Sequence, residues 1–182
     1  MKTHSTGHDV STCSTPNTHV MIGKLLRQLG ELNHSSYNSN STTTNTQQIA
    51  DSTFSCFNYN CSSWNIILGT SIRDQLNNGH LILIRGTRTG GHGHAWVLDG
   101  YKTRTTTIRK MARTATSGWF FTGEITTLTD HFMHFNWGWY GDCDGYFAEN
   151  VYDSSLAFSY DTGVHTNNYN YNIDVKYMSV YH

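Results

Sequence analysis

Two glycine-rich stretches, GGHGHAWVLDGY (residues 90–101) and HFNWGWYGDCDGYF (residues 134–147), constrain the fold of this chain more than any other part of it. In the first, Gly90, Gly91 and Gly93 lie just before His94, and the apolar run 95–98 that follows has the composition of a buried strand. Because glycine places no side chain over the ring, the imidazole of His94 is expected to be open to a ligand at the mouth of that strand. Asp99 and Gly100 are expected to close the strand with a turn.

The second stretch predicts another strand, and this one carries tryptophan. Asn136 and Trp137 lie side by side, and Trp139 follows after one glycine. A catalytic imidazole needs a neighbour that orients it and a wall that keeps water away. Because the pair Asn136 and Trp137 offers both, we take His94, Asn136 and Trp137 as candidate catalytic residues.

Hydrophobic periodicity predicts an α+β fold in one domain covering residues 1–182. Helices come first and strands follow, an order typical of a mostly antiparallel sheet with segregated helices. The strand at residues 81–84 is expected to pair with the His94 strand. The predicted elements are helices at 18–29 and 63–77, strands at 81–84, 94–98 and 131–139, a hairpin at 102–130, a strand from 145, and a closing strand within 169–182.

The composition limits which partners and which environment are expected for this protein. The net charge of −1 gives no electrostatic argument for nucleic acid or an anionic membrane, so neither is expected as a partner. Only 14% of the residues are charged, and the tract 33–48 is almost entirely neutral and polar, which predicts a solvated loop. No apolar run approaches the length of a bilayer span. The first 20 residues contain no apolar signal core, so the protein is expected either to stay in the cell or to have its true start upstream.

The cysteines and paired histidines leave alternatives open. Four cysteines are too few and too scattered for a disulfide scaffold, although Cys56 and Cys61 are close enough in sequence to bridge or to remain packed thiols. His92 and His94 form an H-x-H pair that could begin a zinc site, completed by Cys143 or His134. Asp142 and Asp144 are expected in a solvated loop.

The motifs together resemble the streptopain family of secreted bacterial cysteine peptidases, a branch of the papain-like fold. The combination of GHAWVLDGY with NWGW is specific, whereas either motif alone would be weak, and the resemblance covers about residues 20–147. The hairpin at 102–130 is long for that family. The matching segments are GHAWVLDGY (93–101), HFNWGWYG (134–141), DGYF (144–147), the helix VMIGKLLRQLG (20–30) and IRDQLNNGHLILIRG (72–86).

The resemblance implies a function and a set of roles. A cysteine thiolate would attack the scissile carbonyl of a peptide or protein substrate, without a cofactor, and His94 would be the acid/base. Trp137 would lie against the imidazole, with Asn136 as a competing orienter. Gly91 and Gly93 would form part of the substrate-facing rim. Trp139 would be a wall of the cleft, and the family's habit of export implies a secreted or periplasmic protein.

One family feature is missing from the sequence. The family's nucleophile lies in a Gly-Cys-Val-Ala segment ahead of a central helix, and this chain contains no such segment. The chain therefore resembles the carboxy-terminal part of a peptidase whose amino-terminal half or propeptide lies elsewhere. Its Cys13 precedes a helix, but not in the family's register. The alternatives are a non-catalytic truncated relative and a zinc hydrolase using His92 and His94. Without the nucleophile helix, an apolar face of the His94 sheet is expected to be bare.

Overall fold

The computed structural model of the chain describes residues 16–39, 42–66, 69–116, 118–163 and 165–182. None of the helices in these ranges is long and apolar enough to cross a bilayer. The elements, in chain order, are α1 (Pro16–Leu32), β1 (Ser36–Tyr37), β2 (Thr42–Thr43), α2 (Thr46–Gln48), a π-helix (Ile49–Phe54), β3 (Asn60–Cys61), α3 (Gly69–Asn77), β4 (Leu81–Thr87), β5 (Gly93–Thr114), β6 (Gly118–Asn136), β7 (Gly145–Ala148), β8 (Ser159–Tyr160) and β9 (Ile173–Tyr181).

Residues group into two compact units, Met1–Asn60 with His182 and Cys61–Tyr181. The first contains α1, which confirms the predicted helix at 18–29 and extends it at both ends. The predicted loop at 33–48 is wrong in its backbone, because β1 and β2 form a small antiparallel ladder there and Asn45 caps α2 by accepting a hydrogen bond from the Gln47 N–H. Short polar side chains favour turns and helix caps, which explains how this tract gains local order while its side chains stay largely exposed.

The second unit is built on an antiparallel sheet with the strand order β3-β9-β4-β5-β6-β7-β8. The fold class is α+β, as predicted. The expected pairing of residues 81–84 with the His94 strand is confirmed, with Ile84 opposite Trp96 and Gly86 opposite His94. The predicted closing strand is β9, which pairs with β4 and so lies inside the sheet.

Helix α3 begins later than the predicted helix at 63–77. Asn65 instead forms a bridge with Tyr177 of β9, through a pair of backbone hydrogen bonds of 2.9 Å in each direction. This pairing holds the chain extended where periodicity predicted helix. The remaining turns of α3 place Ile72, which is 1% exposed, against the sheet.

The turn predicted at Asp99 and Gly100 is wrong. Strand β5 continues to Thr114, and its pairing with β6 shifts by one residue between Leu98 and Gly100. This irregularity is a β-bulge, which absorbs an extra residue without ending the strand. The hairpin predicted at 102–130 is confirmed, and it is the outer part of one continuous β5–β6 ladder.

The expectation of a bare apolar face is wrong for the described residues. Trp96, Leu98, Phe135 and Trp137 on β5 and β6 and just after them are at most 2% exposed. Ile72 of α3 belongs to the same cluster, together with Tyr152 and Tyr171 from the irregular segment between β7 and β9. This segment covers the face of the sheet that was expected to be bare without the nucleophile helix. The sheet therefore has a packed core of its own.

Candidate active site

His94 lies at the first turn of the β4–β5 hairpin, one residue into β5. The turn is closed by two backbone hydrogen bonds of 3.0 Å, from Arg88 N to the His92 carbonyl and from Gly91 N to the Arg88 carbonyl. Gly90 and Gly91 both have positive φ, 95° and 81°, a conformation that side-chain-bearing residues rarely adopt. The glycines therefore make the tight turn that places His94 at the start of β5, at one end of an interior strand.

Aromatic rings surround the half-buried imidazole of His94. Trp139 stacks on it with a centroid separation of 4.8 Å, and Tyr171 lies at 5.2 Å. Trp96 and Trp137 lie near-parallel to the ring at 6.1 and 6.2 Å. Burial among these rings lowers the pKa of His94, against the opposing effect of its hydrogen bond to the Trp137 backbone. Burial thus favours the neutral form of the ring.

A single hydrogen bond orients this ring. The Nε2 atom of His94 lies 2.9 Å from the carbonyl oxygen of Trp137. A carbonyl can only accept, so Nε2 carries the proton and the neutral ring has its lone pair on Nδ1. Among the described residues Nδ1 has no hydrogen-bond partner. The geometry leaves this nitrogen available to take a proton.

Trp137 therefore orients His94 through its backbone rather than its indole. The indole is completely buried, and its Nε1 has no hydrogen-bond partner among the described residues. The Trp137 N–H donates to Oδ1 of Asp144 at 2.8 Å, which fixes the peptide from the other side. Asp144 is only 8% exposed, and burial raises its pKa while the Trp137 N–H lowers it.

Asp144 was expected in a solvated loop, and that expectation is wrong. The residue follows directly on Cys143, whose φ is +64°, and precedes the glycine that starts β7. This local path turns the carboxylate inward. The only signal in the sequence was the DGYF segment itself, whose pattern does not distinguish a turn-capping aspartate from a buried one.

The other site residues predicted from the sequence take different positions relative to His94. The Asn136 side chain is exposed and accepts a hydrogen bond from Gly138 N at 3.0 Å. Within the described ranges no hydrogen bond joins it to His94. Gly91 and Gly93 are exposed beside His94, with open space where a Cβ of Gly91 would lie. Trp139 stands against the imidazole, in the position of a wall.

Cys143 directs its hydrogen bonds to Asp142 and Asn167 rather than to His94. Cys143 is completely buried and donates from Sγ to the Asn167 carbonyl at 3.3 Å, and burial raises the pKa of its thiol. Such a thiol is poorly suited to be a nucleophile. Cys56 and Cys61, both among the described residues, are not joined to each other by a disulfide. Cys13 lies outside the described residues.

The zinc alternative gains no support from this part of the chain. Across the described ranges, no group of three or more His, Cys, Asp or Glu is arranged to hold a metal ion. His92 is exposed, and Nε2 of His94 is already engaged by the Trp137 carbonyl. His134, the suggested third ligand, is engaged by two carboxylates.

Those carboxylates form a clamp on His134. Its Nδ1 lies 2.5 Å from Oδ1 of Asp99, the extra residue at the bulge, and its Nε2 lies 2.8 Å from Oδ2 of Asp161. Both nitrogens must donate, so the ring is an imidazolium. The hydrogen bond to Asp99 is the largest cause of a pKa raised to about 9, with burial opposing it and Asp161 adding to it. The clamp joins β5 and β6 to the residue after β8.

Stability is expected to fall in alkaline solution because of this clamp. A folded-state pKa of about 9, above the unfolded value of roughly 6.5, stabilises the fold fully below about pH 6.5 and no longer does so above about pH 9. Since the carboxylates are partly exposed, we expect a loss of about 1–2 kcal/mol between pH 7 and 10. Urea unfolding of the protein and of His134→Gln at both pH values measures it. An equal pH dependence in the two proteins would contradict the clamp.

Comparison with known protein families identifies a family to which the chain belongs. The model of the peptidase C10 family matches residues 1–147, a range that contains the His94 turn, Trp137 and Asp144. No curated protein matches the chain.

Proposed function

Since the chain belongs to the peptidase C10 family, the streptopain family of cysteine peptidases, we propose that it provides the histidine of a thiol–imidazole couple for peptide-bond hydrolysis. The α+β architecture agrees with the papain-like fold of such enzymes. One observation carries the proposal: the Trp137 carbonyl binds Nε2 of His94 and leaves Nδ1 as the free base of a half-buried ring.

In the proposed reaction, Nδ1 of His94 takes the proton of a cysteine thiol, and the thiolate attacks the carbonyl carbon of the scissile peptide. The imidazolium then gives that proton to the leaving amine, and water hydrolyses the resulting thioester. Two contacts support the charged intermediate state of the ring. The Trp137 carbonyl accepts from Nε2, and the face of Trp139, 4.8 Å away, attracts a cation.

The remaining roles follow the same geometry. Trp139 closes one side of the ring, and Gly91 and Gly93 form an open rim where the backbone of a peptide substrate can approach. We propose that residues 1–182 are the carboxy-terminal part of a secreted or periplasmic bacterial peptidase domain. The thiol then comes from Cys13 or from a segment outside this sequence. Asn136 is a weaker candidate for orienting His94, because its amide is committed to Gly138.

A non-catalytic relative is the second candidate. It is favoured by the state of the described cysteines, since Cys143 is buried with a raised pKa and forms its hydrogen bond away from His94. Such a protein would keep the wall of the cleft, and it would bind peptides or have no activity.

A casein-hydrolysis assay with a thiol-directed epoxide label tests the proposal. We expect the full-length gene product to hydrolyse casein and to be labelled, and the 182-residue chain alone to be inactive. His94→Ala is expected to lower turnover at least about 100-fold, the usual contribution of a general acid/base. His92→Ala is the matched control, because His92 is exposed and two residues away, and it should retain activity.

Each contrary outcome has a distinct meaning. Activity retained in His94→Ala would exclude His94 from the mechanism. Hydrolysis by the 182-residue chain that is lost in Cys13→Ala would identify Cys13 as the nucleophile. No hydrolysis and no labelling in either protein would favour the non-catalytic relative.

A further inference from the structure

The outer part of the β5–β6 hairpin projects away from the sheet. Strand β4 pairs with β5 only as far as Leu98, and β7 pairs with β6 only from Phe132 to Phe135. Beyond Arg104 on β5 and Asp130 on β6, the two strands have no described neighbour except each other, and almost every side chain is exposed. At about 3.3 Å per residue, the end of β5 lies roughly 40 Å along the strand from Tyr101.

Charge is distributed unevenly between this projection and the rest of the chain. Residues 102–130 contain five of the 12 Lys and Arg and two of the 13 Asp and Glu, so they carry +3 and the remainder carries −4. All five cations lie on β5, and both acids lie on β6. The expectation of no anionic partner rested on the net charge of −1, which conceals this separation. Since charges in salt solution act over only about 8–10 Å, the local charge decides what the projection attracts.

Two of the cations near the end of the hairpin are left without an anionic partner. Arg104 binds Asp130 at 2.7 Å, and Lys110 binds Glu124 at 2.7 Å, which neutralises both acids. Arg109 and Arg113 form no ion pair with the described residues. Arg109 lies over the ring of Phe121, 6.0 Å from its centroid. The free cations therefore lie among apolar side chains near the end of the hairpin.

That end is apolar on both faces. The pairs Met111 with Phe121 and Arg113 with Trp119 share one face, and Phe120 opposite Ala112 lies on the other. A folded protein partner covers one face or one edge of a ribbon, whereas a membrane interface surrounds its end. The exposed fractions of the large apolar side chains are 46% for Met111, 68% for Trp119, 44% for Phe120 and 43% for Phe121.

We propose that the hairpin tip, residues 109–121, docks on an anionic lipid surface. Trp119, Phe120 and Phe121 would enter the boundary between headgroups and acyl chains, where aromatic side chains are favoured. Arg109, Arg113 and Lys110, immediately behind them, would face the lipid phosphates and carboxylates. The depth of such docking is about 5–10 Å, well within the length of the projection. This activity is independent of the proposed peptidase chemistry.

Co-sedimentation with vesicles tests the proposal. We expect the protein to sediment with phosphatidylcholine vesicles that contain phosphatidylserine and not with phosphatidylcholine alone. Arg109→Gln with Arg113→Gln should weaken binding about 30-fold, from about 1 kcal/mol per cation near an anionic surface. The matched control is Lys24→Gln with Arg27→Gln, which removes the same charge from exposed positions on α1 and should bind as the unchanged protein does.

A second pair of variants separates lipid contact from charge alone. Trp119→Ser with Phe121→Ser should also weaken sedimentation, whereas Val20→Ser with Met21→Ser, at exposed positions of α1, should not. Equal binding to both kinds of vesicle, or unchanged binding by both tip variants, would overturn the proposal. So would failure to bind either vesicle. If a poly-glutamate peptide were then retained in a manner that depends on Arg109 and Arg113, the partner would be an acidic protein instead.

Discussion

Trp96→Ala is expected to lower the free energy of unfolding of the Cys61–Tyr181 unit by about 3–5 kcal/mol. The indole is 2% exposed and lies at the centre of the aromatic cluster. Its centroid is 4.7 Å from that of Trp137, 6.0 Å from that of Phe135 and 5.9 Å from that of Tyr171. Truncation would remove these contacts and leave a cavity that the rigid strands on either side cannot close.

Trp119→Ala is the matched control for this prediction. It deletes the same side chain from the exposed hairpin tip, and its expected effect is within about 0.5 kcal/mol. Urea unfolding followed by far-ultraviolet circular dichroism compares the two, since fluorescence would change with the number of indoles. Similar midpoints for both variants would mean that the cluster contributes far less to stability than its burial implies.

Gly86→Ala is expected to destabilise the same unit by about 3 kcal/mol, at the upper end of the usual cost of overpacking. A Cβ on Gly86 would lie 2.3 Å from the Tyr171 carbonyl oxygen and 3.1 Å from the Trp96 ring. The first contact is with backbone, so the segment that carries Tyr171 must move. Because Tyr171 also lies 5.2 Å from His94, the substitution should loosen the imidazole environment as well.

Gly93→Ala is a control from the facing strand. Its Cβ would meet only the Gly86 carbonyl, at an ordinary 3.8 Å, so stability should stay close to that of the unchanged protein. Thermal unfolding measures the stability of both variants, and the nuclear magnetic resonance titration of His94 reports on its surroundings. In Gly86→Ala, exposure of the ring should raise the pKa of His94 towards 6.5. A stable Gly86→Ala protein with an unchanged titration would contradict the close approach of Tyr171.

The sheet was predictable where sequence patterns report directly on burial. The apolar run at residues 81–84 and the run after His94 predicted two paired strands, because only the interior of a sheet accepts such runs. The bulge at Asp99 was not predictable, because an Asp-Gly pair has the same composition in a turn and in a bulge. Which one forms depends on His134 and Asp161, which come from residues 35 and 62 positions further along the chain.

The candidate site was predictable in its chemistry but not in its contacts. The glycines around His94 and the tryptophans near Asn136 identified which residues lie together. The atom that orients the ring, however, is a backbone oxygen, and every residue has one. The sequence left the Asn136 amide and the Trp137 indole as competing supports for the ring, whereas the path of the chain gave that place to the Trp137 carbonyl and its support to Asp144.

The residues that pack over the sheet could not be predicted from the sequence. The segment between β7 and β9 has no regular periodicity, and its tyrosines have polar ends that make them ambiguous between core and surface. Tyr152 and Tyr171 become core only because the sheet presents apolar rings for them to pack against. The periodicity of neighbouring residues does not report on packing between segments that are far apart in the sequence.

Because β5 and β6 form a continuous ladder, the outer part of the hairpin can change while the part next to His94 stays the same. Thr105 and Thr129 face each other across the two strands, beyond the last described contact with another strand, so the chain could pass from one to the other through a tight turn. Everything between them could be shortened, lengthened or exchanged in matched steps without moving the imidazole. The backbone geometry of the first residues of β5 must therefore be preserved, while the outer part of the same strand can change in sequence and in length.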